Sequence, residues 1–160
     1  EEASMPEPAA PTAALIRLVY ASTRLPFVTD TEVVDGIVLV SMRRNREVDV
    51  TGCLWFGPGH FFQVLEGPTR HVDDTYDRIC RDRRHTAIDL LERRPIDARN
   101  FERFSMRVVC GNESEALAEL IAEHATESAS SRTVPTQPSI RTRVDAAVRA
   151  LVFWRESPAG

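Results

Sequence analysis

Four side chains in this sequence have the types and placements to hold a flat, amphipathic ligand: Tyr20, Asn45, Gln63 and Met106. Gln63 is the clearest. It lies in Phe61 to Leu65, a run of large and branched residues suited to a half-buried strand. Strand alternation puts Phe61, Gln63 and Leu65 on one face and Phe62, Val64 and Glu66 on the other. A long amide set between two apolar neighbours brings two donors and an acceptor that need partners. Those partners are a neighbouring loop or a planar polar ligand, and Gln63 taken alone leaves both open. The same holds for the others taken singly. Tyr20 ends an apolar row and can simply bond a neighbour, Asn45 can cap a helix, and Met106 can fill core. Other chemistry lacks its motifs: there is no glycine-rich phosphate loop, no zinc-ligand spacing and no nucleophile elbow.

The elements that must position these residues follow from periodicity and punctuation. Cys53–Phe56 and Phe61–Leu65 read as a β-hairpin around Gly57-Pro58-Gly59. Leu15–Ser22 reads as the first strand, with Ile16, Leu18, Tyr20 and Ser22 on one face. Thr29-Asp30-Thr31-Glu32 is a capping box opening a helix to about Arg44, with a stripe of Val34, Ile37, Val38, Ser41 and Asn45. Arg43, Arg44 and Arg46 read as cations complementing that helix's C-terminal dipole. A second helix runs from Pro68 or Thr69 to about Asp82, with Val72, Thr75, Tyr76, Ile79 and Cys80 on its buried side. Thr86–Leu91 is a fourth strand, followed by a polar link through Pro95 to Asn100, and Phe104–Cys110 is a fifth with Phe104, Met106 and Val108 on one face.

The order β-α-β-β-α-β-β predicts an α+β, ferredoxin-like sheet with two helices on one face. Tyr20, Gln63, Met106 and Asn45 then converge between helices and sheet. Residues 1–14 read as a disordered lead-in, 15–110 as the folded domain, and 111–160 as a C-terminal helical extension. Within the extension, one helix starts at Asn112 and carries Leu117, Leu120, Ile121 and His124. A connector over 129–138 leads to a second, Ile140–Phe153, with Ile140, Val144, Ala147, Val148 and Leu151 on one side. These helices, or a second subunit, are expected to cover Phe62 and Val64.

The 160 residues are 42% hydrophobic and 28% charged, with a net charge of −4. This composition suits a globular domain and argues against a large nucleic-acid footprint. Cys53, Cys80 and Cys110 are an odd, widely spaced set, expected as free thiols in a reducing, cytoplasmic setting. No apolar run reaches membrane-span length, and no signal peptide is expected ahead of Leu15.

The stretch TGCLWFGPGHFFQVLEGP, preceded by RRNREVDV and followed by RDRRH and RRPIDARNFERFSM, resembles a BLUF domain, a flavin-binding blue-light sensor. The resemblance runs from about Leu15 to Val109. It implies a flavin, FAD with FMN or riboflavin as alternatives, lying between the two helices. It further implies that Tyr20, Gln63 and Met106 form the photoactive group, and that Asn45 and Gln63 hold the ring's polar edge. Ile37, Phe61 and Ile79 would sandwich the ring, with Asp82, Arg84 and His85 near its outer edge and ribityl tail. A phenol with a pKa near ~10 is a poor acid at rest, and an amide, as both donor and acceptor, can relay its proton. The resemblance implies a sensor without substrate turnover, acting through its C-terminal helices or as a homo-oligomer, dimer or larger, on an unknown downstream protein.

Two departures stand out. Phe104 occupies a place where many members carry tryptophan, which removes an indole donor, and Asp49 stands where glycine is common. Two other functions fit a ferredoxin-like frame: an acylphosphatase-like hydrolase using an arginine and Asn45, and a ligand-binding regulatory module without photochemistry.

Overall fold

A computed structural model describes residues 14–110, 115–126 and 139–154. Five strands, β1 (Leu15–Arg24), β2 (Thr51–Gly57), β3 (His60–Pro68), β4 (His85–Ile96) and β5 (Arg107–Cys110), form one sheet in the order β4-β1-β3-β2-β5. β1 runs antiparallel to β3 and β4, β2 and β3 form the hairpin, and β5 joins β2 in parallel. This is the mixed, ferredoxin-like α+β sheet expected from the element order. The hairpin turns at Pro58-Gly59, where Gly59 adopts a φ of 79° that glycine takes without steric cost.

Strand alternation divides the core with few exceptions. Leu18, Tyr20, Leu54, Phe61, Leu65 and Met106 face one side, against Val33, Val38 and Val72. Val19, Cys53, Trp55, Phe62, Val64 and Val109 face the other, against Leu117 and Leu120 of α4 (Glu115–Thr126) and Val144, Ala147 and Leu151 of α5 (Ile140–Val152). Of the two candidate covers for Phe62 and Val64, the C-terminal helices are therefore the one in place.

The first helix forms where the capping box places it: Thr29 accepts from the Glu32 N–H and Glu32 reaches back to the Thr29 N–H. It is not one regular helix. An α-helical turn, α1 (Asp30–Glu32), passes into a π-helical segment Val33–Val38 and then into α2 (Leu39–Glu47). The wider π turn shifts the buried stripe to Val33, Val38 and Asn45. Val34, expected on the buried side, is 40% exposed. α3 (Thr69–Cys80) buries Val72 and Thr75, while Cys80, expected inside, is exposed.

The polar link after the fourth strand is also corrected, because β4 continues to Ile96. As the outer strand of the sheet it tolerates Pro95, and its alternating charges find partners on both faces. Arg93 grips Asp73 of α3 with bonds of 2.9 and 2.8 Å, which holds the Asp73 carboxyl below its usual range. On the opposite face, Glu92 and Arg94 join Arg17 and Asp145 in a network that ties α5 to the sheet. The fifth strand is shorter than expected. Phe104 lies ahead of it, 45% exposed, with the Arg107 guanidinium 5.6 Å above its ring. In α5 the stripe holds except at its first residue, Ile140, which is 46% exposed. The expected helix start at Asn112, the connector over 129–138 and most of the lead-in lie outside the described residues.

Partial burial raises the Asp145 carboxyl, but the hydrogen bond and charge of Arg17, with Arg94 behind them, outweigh it and the net shift is downward. A carboxyl lowered on folding stabilises the folded state above its unfolded pKa of about 4 and loses that contribution as pH falls through the folded value. Loosening of α5 is therefore expected below about pH 4. Asp145→Asn should abolish that part of the acid response, as followed by hydrogen exchange in α5 between pH 3 and 6, roughly spanning the carboxylate range.

Candidate functional site

Tyr20 and Gln63 are register partners across β1 and β3, so their side chains leave the sheet side by side. Both are buried, and the Tyr20 hydroxyl donates to Gln63 Oε1 in a short hydrogen bond. The other end of the amide, Nε2, donates to Met106 Sδ at 3.6 Å. The glutamine thus connects a phenol on β1 to the methionine beside the start of β5. Burial drives the Tyr20 pKa far above its ordinary value, with Tyr76, Cys80 and Asp82 adding to the effect, so the phenol is a neutral donor at any physiological pH. The Tyr76 ring lies 5.7 Å from that of Tyr20.

These residues form one wall of a cleft between the sheet and the two helices. The cleft encloses about 120 Å³ and opens to solvent. Tyr20, Leu54, Phe61 and Gln63 line its floor, Ile37, Val40, Ser41 and Asn45 one side, and Thr75 and Ile79 the other. Clefts with apolar walls and a few placed polar groups suit a flat, amphipathic ligand. Asn45 is held by its Nδ2–H bond to the Ser105 carbonyl at 2.9 Å, while its backbone carbonyl accepts from Val48 and Val50. Its side-chain oxygen accepts no hydrogen bond among the described residues, and Asn45 lines the cleft, so that oxygen is available to a donor there.

Asp82, Arg84 and His85 close the cleft at the end of α3, each already engaged. Arg84 holds Asp82 through three side-chain bonds of 2.5 to 3.1 Å, which keeps the Asp82 carboxyl below its usual range. His85 bridges Ser22 Oγ and the Ile79 carbonyl, both at 2.7 Å. Because the carbonyl only accepts, Nε2 carries the proton and, in the neutral ring, Nδ1 accepts from Ser22. His85 therefore braces β1 against α3, and its ring lies 6.1 Å from that of Phe61. All ten side chains of the expected set line or adjoin this one cleft, with Met106 reaching it through Gln63.

Two lining cations were not anticipated: Arg44 on α2 and Arg78 on α3. Arg44 is expected with Arg43 and Arg46 to complement the helix C-terminal dipole, and no expectation attaches to Arg78; both are exposed at the cleft mouth. The signal lay in helical spacing, since Gly36, Val40 and Arg44 recur every fourth residue and Arg78 adjoins Ile79. Glu66, by contrast, points to the other face of the sheet, where it accepts from the Asn100 and Phe101 backbone N–H groups. It is a strand-end carboxylate that shapes a loop.

The model of the family described as "Sensors of blue-light using FAD" matches residues 15–107, more than half of the chain. The chain belongs to the BLUF family. Among curated proteins it is 48% identical over 52 residues to the blue light- and temperature-regulated antirepressor BluF of Escherichia coli (strain K12), a match covering 32% of this chain and 13% of that protein. The chain therefore spans only a small part of that relative. The dark-state structure of BlrB, a BLUF protein, aligns with a TM-score of 0.65 at 29% identity, over 86% of this chain and 97% of the other. The photo-activated state of BlsA aligns with a TM-score of 0.70 at 24% identity, over 89% and 98%, and supports the fold. In this BLUF domain, Asp49 takes the place where glycine is common with a φ of 57°, a left-handed conformation that aspartate tolerates. Its carboxylate pairs with Arg99 at 2.9 Å.

Proposed function

We propose that the chain is a blue-light receptor that binds a flavin in the cleft and changes state through Tyr20, Gln63 and Met106, without substrate turnover. The observation that carries this reading is the continuous hydrogen-bonded path from the Tyr20 hydroxyl through the Gln63 amide to Met106 on the cleft wall. The residues suit a flavin: Ile37, Phe61 and Ile79 offer apolar surface to a flat ring, and the Asn45 oxygen and the second Gln63 N–H remain for its polar edge. A bound flavin supplies the blue-light absorption and, when excited, accepts an electron.

The protein's own part is the movement of a proton. Tyr20, on losing an electron, becomes a strong acid, and its hydroxyl already points at Gln63 Oε1. The amide takes that proton on oxygen and can release one from nitrogen. When the electron returns, the phenol regains a proton and the amide is left rotated or tautomerised, with a different donor facing the cleft. Purified protein should be yellow and shift slightly to the red under blue light, reverting in the dark. A colourless protein, or a flavin spectrum indifferent to light, would overturn the reading.

The hydrolase alternative gains nothing from the geometry. The arginine that ends the first strand, Arg24, bonds the Val28 and Gly57 carbonyls and Asp30, which leaves it poorly placed to cradle a phosphate.

Asn45→Ala should weaken flavin retention by about 1–3 kcal/mol, the cost of an unpaired buried polar group, while the red shift of the remaining bound fraction persists. Equilibrium dialysis measures the first and difference absorbance the second. An unchanged affinity would reduce Asn45 to a brace on the Ser105 carbonyl.

Among the flavins, FAD or FMN suits the mouth of the cleft better than riboflavin. Arg44 and Arg78 enter it from facing helices, and neither pairs with an acid among the described residues. Arg44→Gln with Arg78→Gln should lower affinity for FMN about tenfold, or ~1.4 kcal/mol, and leave riboflavin nearly unaffected. The FMN preference should also fade with added salt. Equal loss for both flavins would place the effect on the ring. The reading further proposes that the chain works in a cytoplasmic setting and signals to a protein partner through its C-terminal helices or its assembly.

A further inference from the structure

The site and the C-terminal helices lie on opposite faces of the sheet, so a rearranged amide has to be felt through it. Two adjacent residues at the start of β5 connect the two sides. Met106 faces the cleft and takes the Gln63 N–H on its sulfur. Arg107, the next residue, faces the other way beside Cys53, its register partner on β2. Its guanidinium donates to the carbonyls of Leu151 at 2.8 Å, Val152 at 3.0 Å and Trp154 in a shorter bond. These carbonyls belong to the last turn and C-terminal end of α5, where the chain leaves acceptors without intrahelical partners and the helix dipole favours a cation. One side chain from the sheet therefore caps the end of α5.

We infer that Arg107 couples the site to α5: the Gln63 side chain, on rearranging, alters its contact with Met106, and the resulting shift of β5 withdraws the Arg107 cap from the carbonyls of Leu151, Val152 and Trp154. The inference rests on the photoreceptor reading above. Two features make the withdrawal cheap. β5 has four residues and pairs only with β2, so little of the sheet must move with it. Charged hydrogen bonds depend strongly on geometry, so a displacement of about an ångström at the guanidinium weakens three of them together. Arg107 is a positioning residue and touches neither Gln63 nor the cleft.

The test compares light and dark amide hydrogen exchange at Phe153 and Trp154, whose N–H groups close the last turn on Arg149 and Leu151. In the unmodified protein, light should speed exchange there severalfold. In Arg107→Gln the flavin red shift should be intact, dark exchange at these amides should already match the lit level, and light should add nothing. Arg107→Lys, a cation with a different donor geometry, should restore part of the light effect. Asp145→Asn serves as the control for general loosening, because it frees α5 near its middle, away from the capped end, and should leave the light effect at Phe153 and Trp154 in place. If Arg107→Gln keeps the light–dark difference, or the unmodified protein shows none while its flavin shifts normally, the coupling role is overturned. Absence of any red shift would instead overturn the photoreceptor reading, and the inference with it. Should Arg107→Gln fail to fold, the Lys variant decides: a light effect equal to that of the unmodified protein would sink the proposal.

Discussion

Gln63→Leu should retain its flavin and lose the red shift under blue light completely. Leucine fills much of the same space on β3, so the cleft floor formed with Leu54 and Phe61 survives. What disappears is the group that, among the described residues, accepts from Tyr20 and donates to Met106. Tyr20→Phe reaches the same outcome from the other side, keeping the ring packed near Tyr76 and His85 while removing the donated proton. Each variant leaves one buried polar group without its partner, the Tyr20 hydroxyl in the first and Gln63 Oε1 in the second. A stability loss of about 1–3 kcal/mol should accompany the lost photochemistry. Difference absorbance under blue light settles the matter, and a normal reversible shift in either variant would remove that residue from the relay.

The largest effect on stability is expected at the other face. Phe62→Ala should cost about 3–5 kcal/mol, the usual loss for a fully buried phenylalanine. Phe62 belongs to the core that α4 and α5 share with the sheet. The loss should therefore appear as a lower urea midpoint together with rapid exchange in both helices. The flavin red shift should persist in the folded fraction, because the relay lies across the sheet. A loss below ~1 kcal/mol, comparable to a surface substitution, would mean that α4 and α5 are not seated on the sheet in solution.

Much of the site was legible because strand alternation is strict. Phe61, Gln63 and Leu65 could face only one way, and the turn at Pro58-Gly59 fixed the hairpin register. The element order then brought Tyr20 beside Gln63. Where the reading failed, a tertiary partner had overridden a local signal. The π-helical segment moved the buried stripe from Val34 to Val33, and no ordinary helical period contains that shift. The charges Glu92, Arg93 and Arg94 looked like a solvated link, but Asp73, Arg17 and Asp145 make them a strand. Arg44 is one of three arginines whose composition alone does not say which one borders the cleft. Arg107 gave no sign at all, because the carbonyls it caps lie 44 to 47 residues away in sequence.

The division of the sheet into a cleft face and a helix face bears on how such a domain can change over generations. Side chains that line the cleft sit on alternate strand positions from those that seat α4 and α5. Substitutions that retune one set leave the other largely unaware, apart from the pair Met106 and Arg107. A lineage can therefore replace its output helices, or graft the sheet onto a different effector, without re-optimising the pigment site. The light-regulated adenylyl cyclase of which the aligned part is 33% of its chain carries a related sheet in a much longer protein. Cleft-facing and helix-facing residues are thus separate sets that meet where Met106 adjoins Arg107, at the start of the shortest described strand.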